Sequence, residues 1–184
     1  MYKFAELMRL SGLSSSSLRR ALYRLTKRGL LIKLSKGLYA NSFSSPTLEE
    51  IAGVLYPPSY VSLESALFLH GILEQAPHLV TCVTLNKTKT FHTDLGEISY
   101  FHIKPDFFYG YQINDHIPLA CAEKAALDFI YLQLKKALKP SFDELNLENL
   151  NLEEMYSFLV TYPQTVQEYV KKINELLYFD KNGK

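Results

Sequence analysis

Carboxylates are almost missing from the front of this chain. Residues 1–40 hold nine Lys or Arg and a single acid, Glu6, whereas residues 41–184 hold eleven Lys or Arg and eighteen acids. A formal net charge of +1 therefore hides a basic head on an acidic body. A head with so little counter-charge suits a polyanionic partner, and the body would repel a phosphate backbone and confine contact to one surface. Cysteine is equally scarce. Cys82 and Cys121 lie far apart with no CxxC partner, which excludes a disulfide framework and predicts two reduced, mostly buried thiols. No apolar run approaches the ~18–20 residues of a membrane span, and Glu6 and Arg9 interrupt any signal-like start. The expectation is a cytoplasmic chain with no membrane partner. The five histidines, His70, His78, His92, His102 and His116, show no HxxxH spacing. No nucleophile–base pair, glycine-rich phosphate loop or cofactor motif occurs, so the chain reads as non-enzymatic, without metal or cofactor. One enzymatic alternative is a Mg²⁺-dependent nuclease using Asp94, Glu97 and Glu123, although Ser99 occupies the position where such a site would place a lysine. A protein-binding module that never meets DNA is the other alternative.

What is present is concentrated in residues 13–40, LSSSSLRRALYRLTKRGLLIKLSKGLYA. From Ser15, the positions Leu18, Ala21, Leu22 and Leu25 follow helical spacing and define one apolar stripe. The opposite stripe is Ser16, Arg20, Tyr23 and Lys27, flanked by Arg19 and Arg24, and it carries no carboxylate. Such a helix, with Ser15 and Ser16 at its N-terminus, suits a DNA major groove. Gly29 ends it. Two extended stretches follow, Ile32 to Leu34 and Leu38 to Ala40, joined by Ser35-Lys36-Gly37, so that Lys33 and Lys36 are placed to meet phosphates. Residues 3–10 form a short helix with Phe4, Leu7, Met8 and Leu10 available for burial, and Ser11-Gly12-Leu13 turns the chain toward a cap at Ser14 or Ser15. Helix, turn, helix and basic hairpin make a winged helix-turn-helix, without the further helix that usually precedes the pair.

Residues 41–46 read as a linker, which divides the chain into a DNA-binding domain at 1–45 and a body at 46–184. Thr47 with Glu50 forms a capping box for a helix to about Leu55. Ser62 caps a second helix, ended by Gly71, with His70 at its C-terminus. LVTCVTL reads as a central strand, residues 87–104 as a hairpin turning at Asp94-Leu95-Gly96, and FFYGYQI as a further strand with a bulge at Gly110. A helix spans about Ala120–Lys136; Lys124 and Asp128 are polar residues inside its apolar pattern whose i, i+4 spacing admits a structural ion pair, worth only a few tenths of a kcal/mol if exposed. An Asn/Leu/Glu-rich connection at 141–152 leads to helices near 152–161 and 164–178. Tyr100, Phe101, Phe107, Phe108, Tyr109 and Tyr111 cluster, as core residues do. The fold class is α+β: a small winged helix-turn-helix, then a mixed α/β domain with an antiparallel hairpin region and C-terminal helices.

Several strings resemble the AbiEi-type antitoxins of type IV toxin–antitoxin systems. They are RRALYRLTKRGLLIKLSKGLYA at the front, YVSLESALFLHGIL (60–73), YFHIKPDFFYGY (100–111) and LACAEKAALDFIYL (119–132). The more specific elements are S-x-x-S-A-L-x-x-H-G and E-K-A-x-x-D. The resemblance implies that the winged domain binds double-stranded DNA at inverted repeats in its own operon's promoter, as a possible homodimer, and represses it. It implies that the body counteracts a nucleotidyltransferase-like toxin without requiring a stable complex. The DNA-contacting residues would be Ser15, Ser16, Arg19, Arg20, Tyr23, Arg24, Lys27, Lys33 and Lys36.

Overall fold

A computed structural model describes residues 1–43, 46–140 and 145–182. It is α+β, and its first forty residues form a β-α-α-β-β unit that fits a winged helix-turn-helix. Strand β1 (Tyr2–Lys3) leads directly into α1 (Phe4–Ser11), α2 (Ser15–Lys27), β2 (Leu31–Ser35) and β3 (Leu38–Asn41). The sheet order is β1-β3-β2, all antiparallel, with Tyr39 of β3 facing Tyr2 on one side and Lys33 on the other. β1 is too short for an alternation pattern, so sequence reading missed it.

The two helices depart from expectation in how they bury. Leu18 and Leu22 of α2 are buried, but Ala21 is half-buried and Leu25 lies at the surface. In α1 nothing is buried; Phe4 and Leu7 are half-buried, and Leu10 is 82% exposed. The expected burial of Met8 and Leu10 is therefore corrected. α1 packs against α2, and Phe4 N at its start donates to Gly37 O of the hairpin turn at 2.8 Å.

The body begins with α3 (Leu48–Leu55), fixed by the expected capping box: Glu50 N donates to Thr47 Oγ1 at 3.2 Å and Thr47 N to Glu50 Oε2 at 2.8 Å. Thr47→Ala removes one arm of this box and is expected to cost about 1 kcal/mol, read as a lowered urea midpoint with an unchanged slope. Next come β4 (Ser59–Val61) and α4 (Leu63–Leu69), then β5 (Val80–Thr84), β6 (Lys89–Thr93) and β7 (Gly96–His102). β8 (Tyr111–Asn114) and β9 (Ile117–Ala120) precede α5 (Ala122–Lys135), α6 (Leu152–Leu159) and α7 (Gln164–Asn182). The strands form a sheet in the order β6-β7-β5-β4-β9-β8, in which β5–β7 and β4–β9 are parallel and the other neighbours antiparallel.

The β6–β7 hairpin turns where expected, but His92 faces Glu97 rather than residue 98 or 99. FFYGYQI is not one strand. A 3-10 turn at Pro105–Phe107 and left-handed Gly110 (φ +71°) break it, and only its last residues enter β8. β8 and β9 form a hairpin that the sequence reading did not register; Asp115 and His116 both adopt positive φ at its tip, as a tight twisted hairpin demands. Of the linker and tail connection, residues 44–45 and 141–144 lie outside the described residues. Among the described residues no helix is long and apolar enough to cross a membrane.

Between α5 and the sheet lies a feature that spacing alone undervalued. Lys124 and Asp128 form the expected i, i+4 ion pair, with both side chains fully buried. Tyr60 OH (3.0 Å) and Ser62 Oγ (2.9 Å) donate to Asp128 Oδ2, and Tyr162 OH donates to Oδ1 at 2.9 Å. Lys124 Nζ also donates to Tyr162 OH at 2.8 Å and is surrounded by the rings of Tyr60, Tyr109 and Tyr162, at 5.6, 5.3 and 5.5 Å. Burial pulls the ammonium's pKa down while Asp128 opposes the shift, and burial beside Asp128 pushes the Tyr60 and Tyr162 phenols up. Ser62 thus leaves the α4 N-terminus uncapped by its side chain and serves Asp128 instead. The aromatic cluster is largely core as expected: Tyr100 and Phe107 are buried, and Phe107 stacks on Tyr162 at 4.6 Å. Leu34, Leu38 and Ala40 of the hairpin belong to the same buried cluster as Ile51 and Ala52 of α3.

Candidate nucleic-acid interface

The geometry of α2 starts with its ends. Ser14 holds extended backbone, and its Oγ accepts from Ser17 N at 3.3 Å, so the cap falls at the first of the two serines expected. Ser15 and Ser16 are released to the first turn, both exposed. At the other end, Gly29 (φ +71°) lets Leu30 N reach Leu25 O and Gly29 N reach Thr26 O, both at 3.0 Å. These paired bonds make a Schellman stop, in which a left-handed residue turns the chain directly into β2. Leu18 and Leu22 face inward, so the helical period forces Arg20, Tyr23, Arg24 and Lys27 outward.

All nine residues expected to touch DNA are exposed: Ser15, Ser16, Arg19, Arg20, Tyr23, Arg24, Lys27, Lys33 and Lys36. Arg19 is braced twice, by its Nε–H on Ser15 Oγ at 3.4 Å and by its guanidinium 5.1 Å above the Phe4 ring. Tyr23 is 64% exposed and carries the Lys27 ammonium 5.8 Å from its ring. A shallow concavity runs along the helix past Ser17, Arg19, Arg20, Tyr23 and Arg24. A second cleft of about 330 Å³ separates α2 from the hairpin, lined by Phe4, Arg19, Lys33, Lys36, Gly37 and Tyr39. It brings the helix arginine and both hairpin lysines to one opening. The only acid of the segment, Glu6, lies on α1 and accepts from Lys3 N at 3.1 Å.

Phe4 and Tyr39 belong to this surface, although sequence reading assigned them no part in it. The signal for Tyr39 was available: it alternates between buried Leu38 and Ala40, so its ring must leave the core face. Phe4 gave no comparable signal, because it was assigned to the interior of α1.

The side chains weighed for a nuclease do not converge. Asp94 is exposed at the hairpin tip, Glu97 pairs with His92 Nδ1 at 3.2 Å, and Glu123 is buried with its Oε1 accepting Asn151 N at 2.9 Å. Among the described residues, the ligand atoms of Cys121, Glu123 and Glu154 do approach within 4.8 Å of one another. Burial pushes the Cys121 thiol up to about 11, away from the thiolate a metal would need. Of the histidines, His70 Nε2 meets Ala120 O at 2.7 Å and His102 Nδ1 meets Asn86 O at 3.0 Å.

Residues 3–42 match the family model described as transcriptional regulator, AbiEi antitoxin. The match covers the N-terminal segment and includes every residue of the surface just described. No curated protein matches the chain.

Proposed function

We propose that this chain is a DNA-binding antitoxin of a type IV toxin–antitoxin system that represses its own operon and counteracts a nucleotidyltransferase-like toxin. The observation that carries the reading is a single exposed surface in which α2 and the basic hairpin present six cationic side chains, Arg19, Arg20, Arg24, Lys27, Lys33 and Lys36, and no carboxylate, within the segment matched to the regulator family. α2 enters the major groove with Arg20, Tyr23, Arg24 and Lys27 toward the base edges, while Arg19, Lys33 and Lys36 hold the phosphate rim. One such helix spans a single half-site, so two copies on an inverted repeat form the repressing complex. Residues 1–45 act as the DNA-binding domain and 46–184 as the antitoxin body. The acidic body stands off the duplex, and the toxin-directed role rests on the resemblance of its strings to AbiEi antitoxins. No metal or cofactor enters the reading.

The test is a titration of the operon's own promoter fragment across several salt concentrations, comparing the parent chain with the Arg20→Ala, Arg24→Ala double variant. Affinity at low salt is expected to drop by tenfold or more, with discrimination against a scrambled fragment lost, whereas a Lys33→Ala, Lys36→Ala double variant, which removes two phosphate contacts, is expected to lower the log–log salt slope by about 2. An unchanged titration by a variant of normal circular dichroism would remove the assignment.

A further inference from the structure

Arg19 differs from the other cations of the basic face in being tied to the scaffold at both ends of its head group. Its Nε–H donates to Ser15 Oγ at 3.4 Å, and the guanidinium carbon lies 5.1 Å from the centre of the Phe4 ring. A cation at that distance over an aromatic face is held by the ring quadrupole. Both contacts leave the terminal guanidinium nitrogens for other partners. Among the described residues, no carboxylate pairs with Arg19, Lys33 or Lys36. These three cations line the cleft of about 330 Å³ between α2 and the hairpin, together with Phe4, Gly37 and Tyr39 and without an acid.

Phe4 reaches the opposite wall of that cleft through its backbone. β1 pairs with β3 as far as Lys3 against Leu38, and Phe4 N then donates to Gly37 O of the hairpin turn at 2.8 Å. One residue therefore fixes both walls: its ring carries the arginine of α2, and its amide carries the turn that bears Lys36. The ring itself is only half-buried, so filling a core does not account for it. We infer that this cleft seats one phosphate of the DNA backbone, bound by Arg19 with Lys33 and Lys36, and that Phe4 is the positioning residue that aims Arg19 at it. A guanidinium presents paired N–H groups that match two phosphate oxygens, and a side chain held in place beforehand loses less freedom on binding. The inference rests on the proposed reading of this face as a DNA surface and adds to it a residue that touches no DNA.

The experiment uses the full chain and a fluorescently labelled fragment of the operon's promoter, titrated by anisotropy at several salt concentrations. Arg19→Ala is expected to lower affinity about fivefold or more and the log–log salt slope by about 1. Phe4→Leu keeps an apolar side chain without the ring and is expected to lower affinity about threefold or more, and Phe4→Tyr to recover that loss. The deciding readout is the double-variant cycle: once Arg19 is alanine, Phe4→Leu is expected to change affinity by less than about 1.5-fold. An equal loss in both backgrounds would overturn the assignment, because Phe4 would then act on the fold and not through Arg19. An Arg19→Ala chain of parent affinity and slope would overturn it too. In either case a parent chain that prefers the promoter to a scrambled fragment keeps the DNA reading, whereas a parent chain that binds neither fragment removes both.

Discussion

Asp128→Ala is expected to destabilise the chain by about 3–5 kcal/mol, the largest effect of any single substitution considered, because it leaves the Lys124 ammonium buried and unpaired. Lys124 is fully buried, its remaining donor contact is Tyr162 OH, and the phenols of Tyr60 and Tyr162 would lose their acceptor at the same time. Removing both charges behaves differently. The Lys124→Met, Asp128→Leu double variant sheds the desolvation cost of two ions and is expected to recover most of the loss, measured by urea unfolding of all three chains. The network joins β4, α5 and the segment leading into α7, so the single variant should also expose the stacked Phe107 and Tyr162 rings to solvent. A loss below about 1 kcal/mol for Asp128→Ala would mean that the pair does not close this core.

That network also marks where the sequence was legible and where it was not. Helices α2, α3, α5 and α6, the β2–β3 wing and the β6–β7 hairpin were readable, because helical spacing, the Thr47–Glu50 box and the Asp94–Gly96 turn are local signals. Lys124 and Asp128 were readable as a pair but not as a buried one, since burial is decided by Tyr60 and Tyr162, some 68 and 34 residues from Asp128. The same holds for Ser62, whose hydroxyl answers to Asp128 rather than to its own helix. Two of the three body strings that resemble AbiEi antitoxins meet at this point, Ser62 from one bonding Asp128 from the other, which gives them a structural reason for their residue types. β1, β4 and β9 were missed because strands of two to four residues carry no usable period unless a turn signal such as Ser35-Lys36-Gly37 marks them, as it does β3. The exposed basic side chains of α2 were readable because exposure follows from the helical period once Leu18 and Leu22 are fixed inward.

Those two leucines carry the last expectation. Among the described residues they are the only buried side chains of α1 and α2, so α2 is held by two anchors and its backbone turns. Leu22→Ala is expected to cost about 2–5 kcal/mol, scaled by how far the site can collapse around the missing atoms. With so few other contacts the loss falls on α1 and α2 first: their amides should lose hydrogen-exchange protection while those of β5, β7 and α5 keep it. Promoter binding should fall with it, because the binding-competent helix becomes a fraction of the population and apparent affinity drops by that fraction. Leu34, Leu38 and Ala40 share the body's core and should hold the wing in place meanwhile. A Leu22→Ala chain that keeps both α2 protection and promoter affinity would show that the helix is secured by something other than these two side chains.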